Sequence, residues 1–407
     1  LHAAARTGHL EAVDLLLARG SDPNEVESNH DQTALMWAAN EGHVQIVSAL
    51  LEAGADPNMR ARMNLLTERT NADFPSGGFT ALMWAARNGH EDIVRTLVAG
   101  GADINMRNAD LASAMMISIV NDRFDMAELL LELGADANDS SLYEAVVMRD
   151  ATVDWYARDG SRLRPDHDNE NTALDLIAML LERGADPNLR SGRQMHSATM
   201  CCDTRANASA FYRAAVAADV AALELLIEHG ADVSWTPPSV DGGGLATNAN
   251  AGKPALIVAM TGGQGVPLSA GPGYARQGPP PFREAANRSP VDAVALLLDA
   301  GADANAALPD GTPVLHEAVN TRYLEMVENL VAAGARLDAK NKDGLTALHI
   351  AEQLPVEDPD NPFGRATKQK GNAEPAQLAD YLRQAMTNAG IPIEPAPQIE
   401  SQDASGS

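Results

Sequence analysis

Thr80-Ala81-Leu82-Met83-Trp84-Ala85-Ala86-Arg87-Asn88-Gly89-His90, continuing through Ile93, Val94, Leu97 and Val98 to Gly101-Ala102-Asp103-Ile104-Asn105, is the stretch from which the rest of the chain can be read. Thr80 offers a hydroxyl to the free N–H groups at the start of a helix. Ala85 and Ala86 keep that helix narrow, and Gly89-His90 makes a turn in which glycine permits positive φ. A second helical pattern then runs through Ile93, Val94, Leu97 and Val98. A glycine closes it as a C-terminal cap, and Asp103 and Asn105 favour a tight turn into the next segment.

The same words recur along the chain. Thr33-Ala34-Leu35-Met36-Trp37-Ala38-Ala39 repeats the opening, while Leu315-His316-Glu317-Ala318 and Thr346-Ala347-Leu348-His349-Ile350-Ala351 vary it. Gly8-His9 and Gly42-His43 repeat the turn. The Gly-Ala-Asp-x-Asn ending, with small variations, occurs eight times, at Gly20, Gly54, Gly101, Gly134, Gly184, Gly230, Gly301 and Gly334. Successive glycines lie 34, 47, 33, 50, 46, 71 and 33 residues apart, so three intervals define the unit and four carry additional chain. Such a period marks a solenoid, in which each unit buries its apolar side only against its neighbours.

Together these motifs resemble the ankyrin-repeat family, over roughly Leu1 to Ala351. The resemblance implies an all-α solenoid of about 8–9 stacked helix-turn-helix units with β-turn fingers and irregular insertions. Its pattern of long inserts is similar to a group of bacterial ankyrin proteins, many of them exported, which implies an exported or periplasmic location over a cytoplasmic one. The sequence departs from the family pattern in places. Alanine replaces proline in the Thr-Pro-Leu-His motif of the two clearest units, and Pro254 and Pro313 stand at the threonine position in later ones. The unit opening at Ser113-Ala114-Met115 has Asp122-Arg123 where Gly-His belongs, which should weaken it locally.

The period gives an array over residues 1–353, with inserts near 59–76, 148–172, 189–206, 235–251 and 261–290. The inserts at 148–172 and 261–290 separate the two helices of one unit; the others lengthen fingers. Such insertions map to loops on one face of an array, often the binding face. Residues 354–390 read as a linker and a C-terminal capping helix around Gln377 to Met386, with Asp380, Arg383 and Gln384 on its polar side. Residues 391–407 read as a disordered tail.

Composition narrows the function. The chain is 45% hydrophobic but only 4% aromatic, which suits thin helices in close contact. Its formal net charge of −26 disfavours nucleic acid and anionic lipid, both of which are bound through lysine and arginine, and favours a basic or mixed partner. No apolar run reaches the 18 or so residues that a membrane helix needs, so no membrane insertion is expected. The chain opens mid-motif at Leu1-His2-Ala3-Ala4, so a natural start, with any signal peptide or further domain, is expected upstream.

Catalytic chemistry finds no foothold. Gly252-Lys253 runs into Pro254 and lacks the glycine spacing of a phosphate loop, and His316-Glu317 lacks the second histidine of a zinc-protease helix. The acidic run Asp166 to Glu170 misses the glycine and terminal glutamate of a calcium loop. Met195, His196, Met200, Cys201 and Cys202 gather soft ligands suited to Cu(I) or zinc within one insert, but their spacing matches no standard site. No cofactor and no resident metal are expected.

The leading expectation is a non-enzymatic scaffold, monomeric, that binds another protein. The alternatives are a metal-binding or small-molecule-binding protein using the Met195–Cys202 insert, or the binding portion of a longer chain. By resemblance to the family, finger tips and the ends of first helices line the concave face. The matching residues are His30, Gln32, Asn40, Glu41, Phe79, Arg87, Asn88 and Val216. Trp37 and Trp84 occupy equivalent places and are expected to pack between units.

Overall fold

The computed structural model describes residues 1–64, 76–109, 111–149, 168–190, 208–237, 250–261, 289–355, 371 and 373–397. Among them the first helices of successive units are α1 (His2–Arg6), α3 (Ala34–Glu41), α5 (Ala81–Asn88), α7 (Ala114–Val120), α9 (Ser141–Arg149), α11 (Ala210–Ala217), α13 (Ala255–Met260), α15 (Val314–Thr321) and α17 (Ala347–Gln353). The second helices are α2 (Leu10–Ala18), α4 (Val44–Glu52), α6 (Glu91–Ala99), α8 (Phe124–Glu132), α10 (Ala173–Glu182), α12 (Val220–Glu228), α14 (Pro290–Asp299), α16 (Leu324–Ala332) and α18 (Pro375–Asn388). Each first helix packs on the second helix of its own unit, and each row packs in chain order, α1 on α3 on α5 and α2 on α4 on α6, to the last pair. The stack has one continuous core, built largely of alanine, leucine, valine and methionine.

Local chemistry explains each conserved word of the repeat. The hydroxyls of Thr33, Thr80, Ser113, Ser209 and Thr346 accept from the backbone N–H three residues on, capping their helices. Pro254 and Pro313 cannot do so, and α13 and α15 start without a side-chain cap, at a cost of about 1 kcal/mol each. At the Gly-His turn, Gly8 has φ +78° and a Cβ there would lie 2.8 Å from Cε1 of His43. The empty space lets the His43 ring reach back, its Nε2–H donating to the Arg6 carbonyl at 3.1 Å. His90 does the same to the Asn40 carbonyl at 3.2 Å.

The asparagine of Gly-Ala-Asp-x-Asn is the other inter-unit clamp. Asn138 Nδ2 donates to the Gly184 carbonyl at 3.1 Å while its Oδ1 accepts from the Asp186 N–H at 2.7 Å. The same double contact is made by Asn24, Asn58, Asn188 and Asn305, each to the unit that follows. Asn105 makes the accepting half. Serine breaks the series: Ser234 bonds only its own Asp232, and among the described residues no such contact crosses from Ser234 to the next unit.

Among the described residues the fold is helical apart from one short ribbon, β1 (Met63–Asn64) paired antiparallel with β2 (Ser76–Gly77). It forms the two legs of the lengthened finger. The Arg62 N–H donates to the His30 carbonyl and the Ala109 N–H to the Gly77 carbonyl, so three consecutive fingers are joined edge to edge. Two further inserts also leave from closed necks. An Arg190–Ser209 bridge closes one, and the Gly252 N–H donating to the Pro237 carbonyl closes another. The remaining two separate α9 from α10 and α13 from α14.

Residues 391–397 differ from the disordered tail that the sequence suggests. Ile391 packs on the core, Glu394 pairs with Lys340 at 2.9 Å, and the Glu394 carbonyl accepts from His349 Nε2 at 2.9 Å. Because the Thr346 N–H donates to His349 Nδ1, the ring's proton sits on Nε2. His316, one unit earlier, makes the matching bond to the Leu345 carbonyl at 2.8 Å. The tail therefore takes the place that a following unit would fill. Prolines at 392, 395 and 397 hide this role, since they read as breakers.

His316 carries a pH prediction. It is 1% exposed, its Nδ1 has no hydrogen-bond partner, and burial pushes its pKa below the usual 6.5, against the pull of the Leu345 carbonyl. Its folded pKa is depressed, so as pH falls through about 6.5 the unfolded chain takes up the proton first and stability is lost. Urea midpoints of the natural chain should fall between pH 7 and pH 5 by more than those of His316→Gln. An equal fall in both proteins would contradict this.

Candidate protein-binding face

The sequence-predicted residues fall either in the segments before the first helices (His30, Gln32, Phe79) or towards those helices' C-terminal ends (Asn40, Glu41, Arg87, Asn88, Val216). Phe79 precedes the cap of α5, Trp84 lies one turn into it and Arg87 one turn further. The Phe79 and Trp84 rings are 4.8 Å apart at 41°, and the Arg87 guanidinium carbon sits 5.4 Å from the Trp84 ring centre. Arg87 is exposed, while Phe79 and Trp84 are half-buried against the core. On the adjacent α3, Trp37 is half-buried with Arg6 over its ring at 4.7 Å.

Asn40 and Asn88 are drawn into the stack. Asn88 Nδ2 donates to the Asn40 carbonyl at 2.8 Å and to its Oδ1 at 3.0 Å, and Asn40 Nδ2 donates to Glu41 at 3.1 Å. Glu41 is exposed and faces Arg6 at 3.9 Å, a pair too long and too wet to exceed about 1 kcal/mol.

The finger holding His30 and Gln32 is exposed yet wired. Glu27 accepts from the N–H groups of Asn29 at 2.7 Å, His30 at 2.6 Å and Gln32 at 3.3 Å. Arg62 donates to Asp31 through Nε at 3.0 Å and Nη2 at 2.8 Å. These bonds hold the Asp31 carboxyl below the usual carboxylate range. Gln32 Oε1 and Trp84 Nε1 are buried atoms with no hydrogen-bond partner, an energetic cost set into this face.

Val216 stands apart. It lies on α11, with α7 and α9 between it and α5, and packs half-buried on the core. What the sequence reading misses is the cluster beside it. Tyr212 and Trp235 meet edge to face at 5.2 Å and 84°, and Arg190 lies over Trp235 at 5.2 Å. Burial raises the Tyr212 phenol pKa, and its O–H donates to the Lys253 carbonyl at 2.9 Å. The available signal was scarcity: the chain has only 4 tryptophans, so one placed in a finger stands out.

Met195, His196, Met200, Cys201 and Cys202 lie outside the described residues. Among the described residues no three His, Cys, Asp or Glu side chains are grouped to hold a metal, and no helix is long and apolar enough to cross a membrane.

Helix pairs stacked in chain order, linked by fingers and clamped at most steps by an asparagine, define a repeat solenoid whose units are of ankyrin type. The sequence profile for ankyrin repeats (three copies) matches residues 1–61, 62–141 and 282–355, more than half of the chain, and the chain belongs to the ankyrin-repeat family. Among solved structures, the crystal structure of the human ASB11 ankyrin repeat domain is similar at 19% identity and a TM-score of 0.42, covering 78% of this chain and all of that one. Comparison with curated proteins finds no match. Ankyrin repeats are generally protein–protein interaction modules.

Proposed function

We propose that this chain is a monomeric, non-enzymatic scaffold that binds another protein through its fingers and first-helix ends, with Phe79, Trp84 and Arg87 at the centre. The observation that carries the reading is this cluster. It combines a half-exposed aromatic pair with an arginine, the residue types that dominate binding energy at interfaces. Its backbone is fixed by the Thr80 cap and the edge-to-edge fingers, so little order remains to be lost on association. The net charge of −26 supports a protein partner over a nucleic acid.

The test is affinity for a purified partner, measured with the natural chain, Arg87→Glu and Glu41→Arg. Charge reversal at Arg87 should weaken binding about tenfold or more, which is about 1.4 kcal/mol. Reversal at Glu41, nearer the rim, should have a smaller effect. Unchanged affinity in both variants removes this face from consideration.

A further inference from the structure

We propose that the segment taken by this face is acidic: an extended peptide whose carboxylates dock on the free guanidinium edges of Arg87 and Arg190. The inference rests on the protein-binding reading above and adds the partner's chemistry. All three described tryptophans, Trp37, Trp84 and Trp235, lie under an arginine, at 4.7, 5.4 and 5.2 Å. A guanidinium stacked on an indole uses its face and leaves its in-plane N–H donors pointing outward, in the fork that matches a carboxylate. Arg6 has a distant partner in Glu41. Arg87 and Arg190 are exposed and donate to nothing among the described residues.

That vacancy is informative because carboxylates are abundant, 56 acidic residues against 30 lysines and arginines. Some arginines that the fold uses internally go to backbone carbonyls, as Arg183 does to Leu131, and others are given an acid. Arg62 has Asp31 at 2.8 Å, Arg149 has Asp219 at 2.6 Å and Arg383 has Glu352 at 2.7 Å. Arg87 and Arg190 lie over indole rings instead, and a guanidinium left without an internal acid can hold an arriving carboxylate by two parallel bonds. The overall negative charge opposes this partner only at long range, because salt at physiological strength screens beyond about 8 Å. Local complementarity decides.

The spacing sets the length. Arg87 ends α5, while Arg190 and Trp235 flank α11, three steps along the first-helix row. At about 8–10 Å per packed helix, the first-helix row advances by about 24–30 Å over those three steps. An extended strand of about 9 residues spans that distance.

The probe is a labelled 12-residue peptide with two glutamates at each end and an uncharged middle, titrated by fluorescence anisotropy into the full chain at physiological salt. Matching peptides carry glutamine or lysine at those positions. The glutamate peptide should bind saturably and more tightly than the glutamine peptide. Arg87→Gln and Arg190→Gln should each weaken it about tenfold, with circular dichroism unchanged. A glutamate peptide that binds no better than glutamine, or that ignores both substitutions, overturns the proposal. So does preference for the lysine peptide, an outcome that leaves the protein-binding face standing, since the Arg87→Glu and Glu41→Arg measurements test that face separately.

Discussion

Replacing Asp219 with alanine should destabilise the chain by about 3–5 kcal/mol, more than any change on its surface. The Asp219 and Arg149 side chains are 2% and 3% exposed and meet through two bonds, Nε to Oδ2 at 2.6 Å and Nη2 to Oδ1 at 2.9 Å. Removing the aspartate takes a two-bonded carboxylate away from a guanidinium that is out of reach of water. It also removes a cap, because Asp219 accepts from the Ala222 N–H at the start of α12. The location adds to the effect. Ala218, at φ +50°, and Asp219 stand where other units have Gly-His, and the aspartate reaches back to the preceding unit as His43 and His90 do. The pair is thus the rivet between two units on either side of an insert. The companion variant Arg149→Met/Asp219→Leu, which removes both charges and fills the space, should recover most of the loss. Urea denaturation reads both. A cost below about 1 kcal/mol for Asp219→Ala, or a double variant no better than the single, would show that the pair is not holding the seam.

Phe211→Ala should cost about 3–5 kcal/mol, the range for emptying a large aromatic site in a packed core. Phe211 is 0% exposed on α11, a helix that packs on α9, α12 and α13. In a stack of two-helix layers a void here cannot be closed by sliding the layer inward without breaking the Asn188 and Arg149–Asp219 contacts to the preceding unit. Leu15→Ala, at a leucine 55% exposed on α2, provides the control and should stay within about 0.5 kcal/mol of the natural chain. Thermal unfolding by calorimetry separates the two. Similar small losses for both would mean that the layers near α11 are loosely packed.

Repetition made the fold legible. Eight recurrences of one ending, each with the chemistry of a cap and a turn, left little choice of architecture. Resemblance to the family pointed to Phe79 and Arg87, whereas Trp84, which the structure places between them, was expected to pack between units. It failed where the chain leaves its period. Arg149 and Asp219 are 70 residues apart with an insert between them, and no local pattern links them. Arg190 and Trp235 come from two different fingers, each interrupted. Arg123 looked like a lapse from the Gly-His pattern, yet its Nε donates to the Arg87 carbonyl at 2.8 Å, the bond a histidine would have made. Local rules name the residue type that usually does a job, and a long flexible side chain can do the same job from the same place.

The missing clamp at Ser234 makes the molecule two mechanical spans. From Asn24 to Asp232 the units are tied by consecutive asparagine contacts, and the tie resumes only at Asn305. Tension applied across the ends therefore meets no asparagine tie at the step after Ser234, where helix packing and the bond from Tyr212 to the Lys253 carbonyl resist it. Bending is expected to be easiest there, so a partner that grips both sides would set the angle between them.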